Sequence, residues 1–189
     1  MKDSTTAIPT KKRKVDVDIY QKVKNSVYTE LQELPTTFDI YKPSINREEG
    51  LQRIMTLHSA ICANKVKQME HYATLGIELA HQKYRFHAKC ILHLEKDNSD
   101  IFQILECRAC IKATKNISEY FEEIKKITTY SESYIGKLIR IGKLSNRVPT
   151  FKYVTLPVNE ICDNLTIISQ SVENDIDYWN SLPSYPKRK

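Results

Sequence analysis

Tyr130-Ser-Glu-Ser-Tyr-Ile-Gly-Lys-Leu-Ile-Arg-Ile-Gly-Lys-Leu144 is the stretch that decides how this chain reads. Ile135, Leu138, Ile139 and Ile141 have the spacing of one inward helix face. Lys137, Arg140, Lys143 and Arg147 recur every three or four residues and so fall along an exposed side. Neither Asp nor Glu occurs from Tyr134 to Tyr153, so in sequence that side is purely cationic. A helix with one apolar and one cationic face suits docking against a phosphate backbone. Just ahead of it, Thr129-Tyr-Ser-Glu132 has the spacing of a capping box, predicting a turn near 128–131 and a helix from 132 to about 145. Further upstream, Asn116-Ile-Ser-Glu119 fits a looser box and opens a helix over 117–127, built on Tyr120 or Phe121, Ile124 and Ile127. Helix, short turn and helix together have the dimensions of a helix-turn-helix.

Outward from this pair, the pattern stays helical. Leu51 to Lys96 holds no proline and one glycine, Gly76, with apolar residues spaced for helix. A single helix there would be roughly 70 Å long, so a break is expected near Gly76 or near Lys83–His87, giving two antiparallel helices. A long dimerising helix is the alternative. Asp97-Asn-Ser-Asp100 predicts a break and an N-cap, with a helix over Ile101–Thr114. Val148 to Leu156 alternates and suits an extended segment or small wing. Pro157 then opens a last helix that buries Val158, Ile161, Cys162, Leu165, Ile168 and Val172, with Tyr178 and Trp179 anchoring the tail. Val17 to Leu34 is helical up to Pro35, and 35–49 reads as a linker. Residues 17–34 are therefore expected to be a separate arm able to pack on a neighbouring subunit. The chain thus reads as all-α, about six helices in a 50–180 domain, with flexible basic ends at 1–16 and 181–189.

The words of the second helix resemble the reading helix of partition proteins of the ParB/KorB type, in which a Ser-rich turn precedes a Tyr-Ile/Val-x-x-Leu-Leu-Arg-Leu pattern. The resemblance covers residues 128–147. It implies a DNA-binding mode, but none of that family's nucleotide-binding motifs accompanies it, so no clamp chemistry is implied. Position within such a pair makes Ser131, Glu132, Ser133 and Lys137 candidates for base edges, and Arg140, Lys143 and Arg147 candidates for phosphates or bases. Gly136 and Gly142 each cost about 1 kcal/mol inside a helix, which points to close approach by a backbone of DNA or protein.

Lys11-Lys-Arg-Lys14-Val15, after Pro9-Thr10, resembles a monopartite nuclear import signal of the large-T-antigen type. Adjacent cations on an extended segment are what an acidic receptor groove reads. Net charge is +6, a moderate tilt toward anionic partners. Only four glycines occur, which disfavours turn-rich β folds and Gly-rich phosphate loops. No apolar run is long enough for a membrane span, and no secretory h-region is seen. Five cysteines without such a signal suggest free thiols in a reducing compartment. Cys107 and Cys110 with His87, Cys90 and His93 have the types and number for a zinc site, but their helical flanks favour buried thiols, so no metal is expected. Neither a GxSxG nor an HExxH motif occurs, and no enzyme or cofactor is expected.

The expectation is a nuclear DNA-binding protein using a helix-turn-helix, with duplex DNA, an import receptor and a second copy of the chain as partners. A virus replicating in the nucleus or a mobile element would suit that combination. The alternative is a non-enzymatic helical interaction or structural protein, with 51–96 as its partner surface and no DNA contact.

Overall fold

The computed structural model describes residues 19–27, 46–63, 69–87 and 100–182. Among them the secondary structure is helical throughout: α1 over 19–25, α2 Arg47–Ala63, α3 Met69–Arg85, α4 Ile101–Glu106, α5 Arg108–Ala113, α6 Ile117–Ile127 and α7 Glu132–Arg147. A 3-10 turn, Pro149–Tyr153, leads to α8 Val158–Asp163, α9 Leu165–Asn174 and α10 Ile176–Ser181. The all-α reading holds. The basic tail 1–16, residues 35–45 of the expected linker 35–49 and the C-terminal basic cluster lie outside the described residues, as do residues 28–34; the end of that linker is helical, since α2 starts at Arg47.

The fold is organised by α3 lying along α7. Leu75 and Leu79 from α3 and Ile135, Leu138 and Ile141 from α7 are fully buried. Truncating any of these to Ala should cost about 2–5 kcal/mol through lost transfer energy and a cavity. The two helices meet at glycine. A Cβ on Gly76 would stand 2.0 Å from the Leu138 carbonyl oxygen, and one on Gly142 would stand 2.5 Å from the Ile77 backbone nitrogen. No glycine among the described residues has a positive φ, so these two supply space rather than backbone freedom.

Gly76 is therefore a crossing point and not a break. α3 runs through it and ends at Arg85, within the other expected position, Lys83–His87, but the stretch is also divided where no break was expected, α2 ending at Ala63 and α3 starting at Met69. The expectation of a break at Gly76 weighed helix propensity, whereas tertiary contact decides the outcome. A third glycine, Gly50, brings the start of α2 against α3, where an added Cβ would collide with the side chains of Gln82 and Glu78. Both of these are buried, and Gln82 Nε2 donates to Glu78 Oε1 at 3.2 Å.

Several local readings change. The helix expected over Ile101–Thr114 is divided at Cys107, whose backbone is extended (φ −67°, ψ 115°). Asp100 does cap α4, its side chain accepting from the Phe102 N–H. Asn116 stands at the start of α6 but makes no side-chain cap. Ser131, not Thr129, caps α7, shifting the capping register by two residues; α7 then extends to Arg147. The alternating 148–156 segment becomes the 3-10 turn, because Pro149 starts it and Thr150, Phe151 and Tyr153 all turn inward. Its strand character survives as a single antiparallel bridge between Val27 and Val154. The last helix is divided at Asn164 and Asp175, but its six expected core residues are all buried.

The largest change concerns the expected arm. Residues 19–27 pack into the chain's own core through Ile19, Val23 and Val27. They are clasped to the C-terminal end: the Trp179 indole N–H donates to the Tyr20 hydroxyl (3.0 Å), which donates to Asp175 (3.0 Å), and Lys24 pairs with the same carboxylate at 3.0 Å. Thr155 adds backbone and side-chain bonds to the Ser26 carbonyl. Apolar spacing reported a buried face here but could not say which surface buries it.

The two glycines of α7 should respond oppositely to the same change. Gly142→Ala drives a methyl into the α3 backbone and should destabilise by about 2–4 kcal/mol, at or above the usual cost of overpacking. Gly136 has nothing within 4 Å of an added Cβ. Gly136→Ala should therefore stabilise by about 1 kcal/mol through helix propensity. Urea unfolding of both variants checks this, and equal effects would show that the α3–α7 approach is not as close as described.

Candidate nucleic-acid interface

α6, the connection 128–131 and α7 place the sequence-predicted residues on one side of the domain. The connection is fixed from three directions. Thr128 is buried, its hydroxyl donating to the Ile124 carbonyl at 2.9 Å. Ser131 Oγ accepts from the Tyr134 N–H at 3.2 Å, closing the first turn of α7. Lys125 of α6 reaches across to Glu132 at 3.2 Å. Tyr130 stacks edge-on between His58 of α2 (4.9 Å) and Tyr134 (5.0 Å). Burial pushes the Tyr130 hydroxyl up to about 12 and raises that of Tyr134 as well. Tyr134 thus packs. Glu132 and Ser133 remain exposed at the tip, and Ser131 is exposed but committed to its cap.

Lys137, Arg140, Lys143 and Arg147 do fall on one outward row, but that row is not purely cationic in space. Lys137 pairs with Asp163 at 3.4 Å, Lys143 with Glu106 at 2.6 Å and Arg147 with Glu173 at 2.8 Å. Arg140 donates to the Thr166 hydroxyl at 3.2 Å and has no carboxylate partner among the described residues. Three of these four contacts join residues 26 apart in sequence: 137 to 163, 140 to 166 and 147 to 173. A constant offset over ten residues means that α8 and α9 run beside α7 in the same direction. Leu165, Ile168 and Val172 of α9 turn into the core from that position. Arg140, Lys143 and Arg147, with Glu106 and Glu173, line an open cleft of about 180 Å³, with Ser169 at its side.

All three ion pairs are solvated, the cations being 35–51% exposed. Pairs of this kind contribute about 0–1 kcal/mol each. They are weak enough for a stronger anion to take over the cation, and phosphate accepts from Arg bidentately. The carboxylates Glu106, Asp163 and Glu173 were not singled out from sequence. The signal that could have found them is their spacing: Asp163, Thr166 and Glu173 repeat the spacing of Lys137, Arg140 and Arg147.

The cysteines take other places. Cys110 and Cys162 are buried, Cys107 is half-buried and Cys62 is exposed beside His58. Cys90 and His93 lie outside the described residues, and among the described residues no three His, Cys, Asp or Glu side chains gather to hold a metal ion. No described helix is long and apolar enough to cross a membrane. No family model matches the chain, and neither a curated protein nor a solved structure matches it.

The packed tyrosines make the turn sensitive to alkali. A raised hydroxyl pKa means that the folded state holds its proton while the unfolded chain has released it. The contribution is complete below the ordinary value of 10 and is lost as pH rises through about 12 for Tyr130 and Tyr20. Stability should therefore begin to fall above pH 10. In an alkaline titration, tyrosinate absorbance should lag the free amino acid and then rise together with loss of helical circular dichroism. Ionisation near 10 with the helix signal intact would contradict the packing of these rings.

Proposed function

We propose that this chain binds duplex DNA through α6, the 128–131 connection and α7, and that it does so in the nucleus. The observation that carries the reading is the row Lys137, Arg140, Lys143 and Arg147, outward on a helix whose other face is locked into the core. A rigid helix keeps its cations in fixed register at no ordering cost at the moment of contact. Lys137, near the start of α7, with Ser133, is assigned to base edges or the phosphates beside them, and Ser131, whose oxygen caps α7, to the same contacts through its hydroxyl hydrogen. Arg140, Lys143 and Arg147 are assigned to the backbone. The three carboxylates act as place-holders that phosphates displace.

The nuclear assignment rests on Lys11, Lys12, Arg13 and Lys14, whose adjacency suits the acidic groove of an import receptor. A second copy of the chain as partner is part of the same reading, since paired recognition helices read symmetric half-sites. The rival reading, an interaction protein without DNA contact, calls for a broad exposed apolar patch. Among the described residues the large exposed hydrophobics are Met55 on α2 and Ile111 on α5, too sparse for such a patch.

Anisotropy with labelled duplex at two salt concentrations tests the reading. Affinity should fall steeply with salt. In the Arg140→Ala, Lys143→Ala double variant the log–log salt slope should be shallower by roughly two units, with the melting temperature within a few degrees of the parent. Glu173→Gln should instead tighten binding by releasing Arg147 from its carboxylate. Parental affinity in the double variant would remove α7 from the interface.

A further inference from the structure

α5 is a six-residue helix with almost no interior. Cys110 is buried, while Arg108, Ala109, Ile111, Lys112 and Ala113 are all exposed. Isolated helices of this length do not persist in water. This one is held at both ends, by the extended Cys107 that divides it from α4 and by Thr114, whose hydroxyl donates to the Cys110 carbonyl at 2.8 Å. α4 is in turn fixed to α3 by Phe102 and Leu105, packed with Ala80. The result is a short, anchored ridge whose side chains face solvent.

Its charge differs in kind from that of α7. No Asp or Glu occurs from Cys107 to Ser118. Arg108, Lys112 and Lys115 are exposed and make no ion pair among the described residues. Lys137, Lys143 and Arg147 must each give up a carboxylate before they can take a phosphate, whereas Arg108, Lys112 and Lys115 face no such partner among the described residues. The ridge also lies next to the α7 row. Glu106, the partner of Lys143 at 2.6 Å, stands two residues ahead of Arg108. Arg108 to Lys112 rises about 6 Å along the helix, so these cations occupy a span rather than a single point.

We propose that α5 and the connection just after it, through Arg108, Lys112 and Lys115, are a second contact surface for the phosphate backbone of the same duplex, carrying much of the affinity and none of the sequence choice. This rests on the DNA-binding reading of α7. Unpaired cations set the long-range field that draws a polyanion in, and each phosphate they neutralise releases counterions. α5 is thus the ridge that captures DNA, and α7 the helix that exchanges carboxylates for phosphates once the duplex is held.

The test uses the full chain and a variant carrying Arg108→Gln, Lys112→Gln and Lys115→Gln, which changes exposed side chains only. Anisotropy is measured with duplexes of several sequences at two salt concentrations, with Arg140→Gln alongside. The triple variant should bind at least tenfold more weakly at low salt. Its salt slope should be shallower by about two to three units, with its ranking of sequences unchanged. If the triple variant keeps parental affinity and slope while Arg140→Gln loses affinity, α5 is not part of the interface and the reading of α7 stands. If the parent binds no duplex at low salt, both fall together.

Discussion

The close approach of α3 to α7 at Gly76 and Gly142 is the constraint on which the rest of the architecture depends. Two helices whose backbones nearly touch cannot slide or roll, because any side chain brought into the crossing would collide with main-chain atoms. The chain contains four glycines, and three of them, Gly50, Gly76 and Gly142, stand where a helix meets α3 or α7. Each costs about 1 kcal/mol of helix propensity. That cost is offset by dense packing of Leu75, Leu79, Leu138 and Ile141 around the crossing. α3 is thereby the axis against which α2, α4, α7 and the 3-10 turn are all placed.

Locking one face of α7 determines what the other can do. With Ile135, Leu138 and Ile141 inward, Lys137, Arg140, Lys143 and Arg147 must point out. The C-terminal helices, packed alongside in the same direction, bring Asp163, Thr166 and Glu173 up to them in register. The cationic row is thus partly neutralised within the molecule while staying solvated. Arg140 and the exposed cations of α5 are left without a carboxylate among the described residues. N- and C-terminal parts of the described chain are closed onto each other by the Tyr20, Asp175 and Trp179 hydrogen bonds, which hold α10 where it packs on α9 and the 3-10 turn.

Much of the fold was legible because apolar spacing reports helix directly. The buried faces of α7 and of α8–α9 were readable residue by residue, as was the anchoring role of Trp179. Less legible was anything decided between elements. Gly76 has a helix breaker's propensity but a crossing residue's environment, and only the presence of α7 tells them apart. Residues 19–27 of the expected arm carry a correct apolar face with the wrong recipient, since periodicity carries no information about the packing partner. In the candidate site, the positions of the cations followed from spacing along one helix, whereas their carboxylates come from 26 residues further on and from α4. The α5 ridge was hidden for a different reason: Cys107-Arg-Ala-Cys110 reads as continuous helix, and the extended backbone at Cys107 that divides α5 from α4 leaves no mark in composition.

The central claim is that the outward row of α7 meets a duplex while its inward face stays on α3. Backbone amide chemical shifts of the isotopically labelled full chain, followed as a short duplex is added, test it most directly. The account predicts perturbations concentrated over Ser131–Arg147 and Arg108–Lys115, with Leu75, Gly76 and Leu79 unmoved. Shifts centred instead on the exposed face of α2, with α7 silent, would contradict it.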